Sequence, residues 1–326
     1  MADYKGIKGF TIPNVSSDPD NPIAGQIWYN STSATLKGRV EGFSVGAWAS
    51  GTAINTGRQG QGSAGVQTAG MIMGSGPVPA GRDQTEVYNG STWSESGDLT
   101  TARIGRISGM GTITAGVAAG GENGTLDNAE EYDGTSWTAA TAMNVGRRNA
   151  GSAGTQTAGL IVGNPGGVAT SEEYNGTGWT TGGELSTGRS SVGGGGTLAA
   201  GLMSGGEIPG STTTPNTETY DGTSWAETGN LNTTRCSYGS SISGTTSSLL
   251  VYGGSPMNSS PYMTETEHFN GTSWTELADL ATGIRTQGGC GTGALAVSAG
   301  GAISGNAAAD VVEDWSTEAT VTVTTS

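Results

Sequence analysis

The 326-residue chain contains a single histidine, two cysteines, three phenylalanines and no lysine beyond position 37. Each shortage removes a possibility. His268 alone cannot supply the imidazole set that a redox copper centre needs. Cys236 and Cys290 have no framework spacing, so we expect free thiols rather than a disulfide or a metal cluster. No apolar run is long enough to cross a bilayer, and Met1-Ala2-Asp3-Tyr4-Lys5 opens no signal-peptide core; neither membrane insertion nor secretion is expected. The lysines Lys5, Lys8 and Lys37 sit among four basic and three acidic residues in the first 40, a net of +1. The remainder sets nine arginines against 25 acids, a net of −16. So acidic a surface repels phosphate backbones, and no nucleic-acid partner is expected.

What the chain has in abundance is glycine, 60 residues of it, and a repeated phrase. Glu130-Glu131-Tyr132-Asp133-Gly134-Thr135-Ser136-Trp137 returns around Glu86, Glu172, Glu218 and Glu267, and in worn form as Glu313-Asp314-Trp315. A glutamate and an aromatic two residues apart share one strand face. Asn-Gly or Asp-Gly supplies the positive φ angles of a tight reversal, and the tryptophan opens the return strand. Trp48, Trp93, Trp137, Trp179, Trp225 and Trp274 punctuate the chain at intervals of 42 to 49 residues. Arg58, Arg103, Arg147, Arg189 and Arg235 follow their tryptophans by ten residues, and Arg285 by eleven. Small-residue strands and Gly-Gly pairs fill the space between.

Four strands per ~45 residues with no helical period predict an all-β, six-bladed β-propeller of four-stranded antiparallel blades. Such sheets bury their faces only by stacking, with the Tyr and Trp of each unit as filling. We expect a propeller over 43–326 and an N-terminal arm with a β-hairpin, 26–31 against 34–40, over 1–42. The alternating run 319–323 and the strand 43–48 are both expected to join the last blade and tie the ring shut.

The combined wording, Gly-Gly, Glu-x-Tyr, Asp/Asn-Gly, Trp, then Arg, resembles the kelch repeat over roughly residues 48–326. Residues 132–137 and 153–159 are similar to kelch-type proteins of marine bacteriophages, and Gly25-Gln26-Ile27-Trp28-Tyr29-Asn30 resembles N-terminal segments of phage tail and fibre proteins. These resemblances imply a non-enzymatic virion structural protein on the outer surface of the particle. In that reading a tail-associated fibre or adhesin is attached to other virion proteins through residues 1–45. It is present in multiple copies and displays the propeller toward a host-surface glycan or protein. A capsid decoration or head fibre is the alternative location.

The matched sets Glu86, Glu130, Glu172, Glu218, Glu267, Glu313 and Arg58, Arg103, Arg147, Arg189, Arg235, Arg285 read as one structural ion pair per blade or per blade junction, because catalytic groups are usually singular and these recur in every unit. No catalytic, cofactor-binding or metal residue is assigned. Two other classes stand beside this reading. A glycan hydrolase would draw on loop acids such as Asp83, Glu122 and Glu207. A kelch adaptor would need an oligomerising segment that residues 1–40 do not resemble.

Overall fold

In the computed structural model, residues 12–17, 27–38, 46–75, 83–121, 127–257, 260–317 and 322–323 are described, and every regular element among them is a strand. Six four-stranded antiparallel sheets make a six-bladed propeller. The first blade runs Gly62–Val66, Ala69–Met73, Thr85–Tyr88 and Trp93–Glu95 from the axis outward. Four more follow over 108–140, 151–184, 193–228 and 239–276. The innermost strands contact one another in sequence and the last meets the first. The filling between blades is the expected one. Ala64, Met71 and Met73 of the first blade, for example, cluster with Leu99, Ile107, Tyr132 and Trp137 of the second.

Closure differs from the sequence expectation. The sixth blade consists of Gly288–Gly291, Leu295–Ala299, Val312–Ser316 and a strand from the chain's start, Ala47–Ser50, which brings Trp48 opposite Trp315. Thr322–Val323, the described part of the C-terminal run, is not among its strands. It pairs instead with Thr35–Gly38, and residues 319–321 lie outside the described set. A blade has one outer edge, and Ala47–Ser50 fills it.

A second compact unit combines Met1–Gly46 with Thr317–Ser326, leaving Ala47–Ser316 as the propeller. Its sheet runs Asn14–Val15, Ile27–Asn30, Thr35–Gly38 and Thr322–Val323. The middle pair is the antiparallel hairpin read from the sequence; the first pair is parallel. Lys5, Lys8 and residues 39–45 lie outside the described set.

Around the propeller axis small residues allow close approach. The inner-strand position one step from the start alternates serine and glycine through the ring: Ser63, Gly109, Ser152, Gly194, Ser240, Gly289. Each serine donates to the glycine carbonyl of the preceding blade, Ser63 to Gly289 at 2.8 Å, Ser152 to Gly109 at 2.7 Å and Ser240 to Gly194 at 2.7 Å. A Cβ on Gly109 would stand 2.4 Å from the carbonyl oxygen of Ser63, so the alternation is steric as well as polar.

Just ahead of these strands, backbone hydrogen bonds close a circle through all six blades. Gly60 N donates to Thr286 O (2.8 Å), Thr286 N to Ser237 O (2.6 Å) and Ser237 N to Ser191 O (3.0 Å). Ser191 N donates to Asn149 O (2.7 Å), Asn149 N to Arg106 O (3.2 Å) and Ile107 N to Gly60 O (3.3 Å). Gly60, Asn149, Ser191, Ser237 and Thr286 all take φ between 54° and 72°, a left-handed conformation that L-residues keep only when surrounding structure enforces it. The ring supplies that enforcement.

Candidate functional site

The repeated charges form buried ion pairs in five blades. Arg103 Nη2 lies 2.9 Å from Glu130 Oε1, Arg147 3.1 Å from Glu172, Arg189 3.0 Å from Glu218 and Arg235 2.8 Å from Glu267; Arg58 pairs with Glu86 in the same way. Their side chains are at most 2% exposed. Each carboxylate also clamps the crossover entering its own blade. Glu172 accepts from the amides of Asn144 (2.7 Å) and Val145 (3.1 Å), and Arg147 donates onward to the carbonyls of Gly163 and Thr170. Burial lowers the pKa of Arg58, Arg147 and Arg189 from the ordinary arginine value, and the facing glutamates act against it. With arginine starting so high, these three guanidinium groups stay charged at neutral pH. These groups face protein on every side, which suits holding the crossovers rather than acting on a substrate.

The sixth blade breaks the rule. Arg285, eleven residues after its tryptophan, donates to Asn306 Oδ1 (3.1 Å) and stacks over Tyr262 at 5.0 Å instead of meeting Glu313. The repeat arginine's place belongs to Ile284: its carbonyl accepts from Gly254 as that of Arg235 accepts from Gly206. Glu313 is held by the amides of Ala281 (2.8 Å) and Thr282 (3.2 Å).

Sequence reasoning missed a second set of polar contacts, between blades. Tyr174 donates to Glu131 of the preceding blade at 2.8 Å, Tyr220 to Glu173, and Tyr88 to Asp314 at 3.3 Å. Burial first, then the acid, raises the Tyr88 and Tyr220 phenols to about 12. The signal was present: where the aromatic is Phe269, with no hydroxyl, the preceding blade carries Thr219 rather than an acid. Also missed was asparagine three residues before the arginine in three repeats. Asn55, Asn144 and Asn232 donate to their blade's glutamate at 2.8 to 3.0 Å.

The paired aromatics stack as cross-strand neighbours, with ring centroids 4.7 to 5.0 Å apart from Tyr88–Trp93 to Phe269–Trp274. The turn joining them works differently from the two-residue reversal expected. Four residues intervene, and only the glycine has positive φ, as at Gly176 (φ 87°). Asn175 acts through its side chain, whose Oδ1 accepts from the amides of Thr177 and Gly178, both at 2.9 Å. Such an Asx turn accepts aspartate equally. In Asp133, hydrogen bonds from Ser136 and Thr135 hold the carboxyl pKa down to about 2.

Antiparallel order places the second-to-third strand loops and the blade crossovers on one face of the propeller and the Asx turns on the other. The loop face carries the variation. Blade three extends its hairpin through Ala158–Asn164 and Val168–Tyr174, blade four adds Glu207–Ile208 against Thr212–Thr213, and blade six adds Ala302–Ile303 against Ala307–Ala308. Between blades three and four lies a groove of ≈ 410 Å³ lined by Arg148, Asn149, Pro165, Ser190, Glu207 and Pro209. That volume falls in the range of small-ligand sites, ~300–1,000 Å³. Thr213 donates to Pro256 O at 2.7 Å, tying the loop of blade four to that of blade five, where Met257 is 61% exposed.

Of the loop acids considered for hydrolysis, Asp83 belongs to the first blade and Glu207 to the fourth, on opposite sides of a six-membered ring; Glu122 lies outside the described residues. His268 is half-buried, with Nε2 3.1 Å from Ser248 Oγ, and burial lowers its pKa. Cys236 and Cys290 are free and buried, and burial pushes the Cys290 thiol up to about 12. No cluster of three metal-ligating side chains occurs among the described residues.

No protein-family model matches this chain, and no curated protein matches it in sequence. Its fold is similar to a solved structure described as "Structure of YjhT", at a TM-score of 0.67 and 10% identity, over 80% of this chain and 95% of that one. At that identity the likeness is one of architecture: the chain is a six-bladed β-propeller.

Proposed function

We propose that this chain is a non-enzymatic virion protein of the phage kelch type, a tail-associated fibre or adhesin whose loop face binds a host-surface glycan or protein. The observation that carries the reading is the contrast between the repeated scaffold of the blades and the loops it carries. Ion pairs, Asx turns and aromatic stacks repeat nearly unchanged, whereas the second-to-third strand loops differ in length, hairpin content and chemistry. A rigid scaffold with variable loops on one face is how binding surfaces diversify without unfolding their support. The groove beside Arg148 and Glu207 has the size and the mixed polarity to take a sugar residue, and exposed Met257 extends the surface.

In this reading residues 1–45 attach the chain to other virion proteins, which the separate sheet and the basic balance of the first 40 residues support. Several copies are carried on the outer surface of the particle. The test has two arms. Immunogold labelling of intact particles with antibody to the chain is expected at the tail; labelling of the capsid alone would move the protein to decoration or a head fibre. The labelled full chain is expected to bind host cells saturably and to release no reducing ends from their surface polysaccharide. Absence of cell binding, or release of reducing ends, would overturn the adhesin reading.

A further inference from the structure

The circle of backbone hydrogen bonds has one irregular member. At five of its six positions the side chain is short or absent: Gly60, Asn149, Ser191, Ser237 and Thr286. At the sixth, Arg106 supplies the carbonyl and Ile107 the amide, behind the left-handed Gly105 (φ 71°). One extra residue separates the repeat arginine from this position in the second blade, three steps from Arg103 against two from Arg147 to Asn149. Arg106 lines a cavity of ≈ 60 Å³ on the axis, to which all six blades contribute. That is several times the ~10–15 Å³ a single water requires.

Arg106 Nη2 donates to Tyr238 O at a long 3.3 Å, and Nη1, shielded from solvent, has no hydrogen-bond partner in the protein. Burial pulls its pKa down, and the titratable groups acting on it are Cys236, Tyr238 and Arg285. None is a carboxylate. This is the reverse of the five repeat arginines, each of which has its glutamate. A shielded cation without a counter-charge is costly, and an anion that enters the site relieves the cost.

The same cavity is lined by two buried carboxamides with the opposite need. Gln61 donates Nε2 to Ala299 O at 2.7 Å and Gln287 donates Nε2 to Tyr252 O at 2.9 Å. Because those partners are carbonyls, each amide's nitrogen is identified by its bond, and both Oε1 atoms remain buried without a donor. The cavity therefore offers one cationic donor and two neutral acceptors.

We propose that the axial cavity is a binding site for a small protonated oxyanion of the hydrogen phosphate class. An anionic oxygen faces the Arg106 guanidinium, and a phosphate hydroxyl donates to Gln61 or Gln287. Sulfate carries the charge but no proton at neutral pH, so the carboxamide oxygens discriminate against it. The site is separate from the loop-face groove and does not depend on what that groove binds.

Equilibrium dialysis of the full chain against radiolabelled inorganic phosphate, at neutral pH and fixed ionic strength, tests this. One saturable equivalent per chain is expected, with sulfate competing at least ~10-fold less well than unlabelled phosphate, a gap of about 1.4 kcal/mol. Arg106→Gln is expected to weaken binding by at least ~10-fold while leaving the β-sheet circular dichroism unchanged. No saturable binding to the wild-type chain, equal competition by sulfate, or undiminished binding by a folded Arg106→Gln chain would each overturn the proposal. The wild-type phosphate-to-sulfate ratio decides the question even where the variant fails to fold.

Discussion

Ile284 and Glu313 occupy, in the sixth blade, the two places that arginine and glutamate fill as an ion pair in the other five. Ile284 packs with Leu280, Ala309 and Trp315, so this blade holds its crossover by apolar contact and two amide–carboxylate bonds. A buried pair and a well-packed apolar residue contribute comparable stability, which is why the substitution is tolerated. Removing one member of a pair is another matter.

Glu172→Ala leaves the Arg147 guanidinium buried and uncompensated, and we expect a loss of about 3–5 kcal/mol in urea unfolding. Glu313→Ala strands two amides but no cation, and we expect a loss of about 1–3 kcal/mol. Equal losses in the two variants would mean that the guanidinium pairing adds nothing to the clamp.

The tyrosine–acid contacts between blades are expected to show as coupling. Tyr220→Phe should cost about 1.5–3 kcal/mol, the worth of a hydrogen bond to a charged group, and far less when Glu173 is already glutamine. Ultraviolet titration should find the Tyr220 phenol ionising at about 12. Additive losses across the double-mutant cycle would remove the contact as a link between blades.

The Asx turns make the protein acid-sensitive in a defined window. Asp133 has its folded pKa depressed to about 2, and Asp221 is shifted the same way by the amides of Ser224 and Thr223. A depressed carboxyl pKa contributes stability above the unfolded value, lost as pH falls from there through the folded value. Asp133→Asn with Asp221→Asn, matching the native Asn89, Asn175 and Asn270, should therefore flatten the decline in melting temperature between the ordinary carboxylate range and pH ~2. An unchanged slope would show that these turns do not feel the titration.

At the axis, Gly109→Ala drives a Cβ toward the Ser63 backbone and should destabilise by about 1–3 kcal/mol. Gly178→Ala meets nothing within 4 Å and stands where other copies carry Thr92, Ser136, Ser224 and Ser273, so a change within about 0.5 kcal/mol is expected. Matching melting curves for Gly109→Ala and wild type would show that the blades can spread without cost.

The blade count, strand order and aromatic stacking were legible because each is written several times over, and repetition separates a structural rule from chance. Features that occur once were not. The slip from ten to eleven residues before Arg285 was visible, yet only backbone hydrogen bonds show that Ile284 inherits the place. The extra residue before Arg106 is equally small in the sequence, and its effect depends on how six blades meet at an axis. The destination of the C-terminal run was misread because alternation marks a strand and not its partner.

Ala47 and Ser316 are paired residues, and the chain passes between the two compact units at both of them. The propeller is thus held by two covalent tethers that leave from one point on its rim. Tension on the molecule is shared by two neighbouring strands loaded in the same direction, so it does not peel one from the other. The pair must be torn as a ribbon from Leu295–Ala299 before the ring can open. A force that would unzip a singly tethered blade meets here a doubled strap.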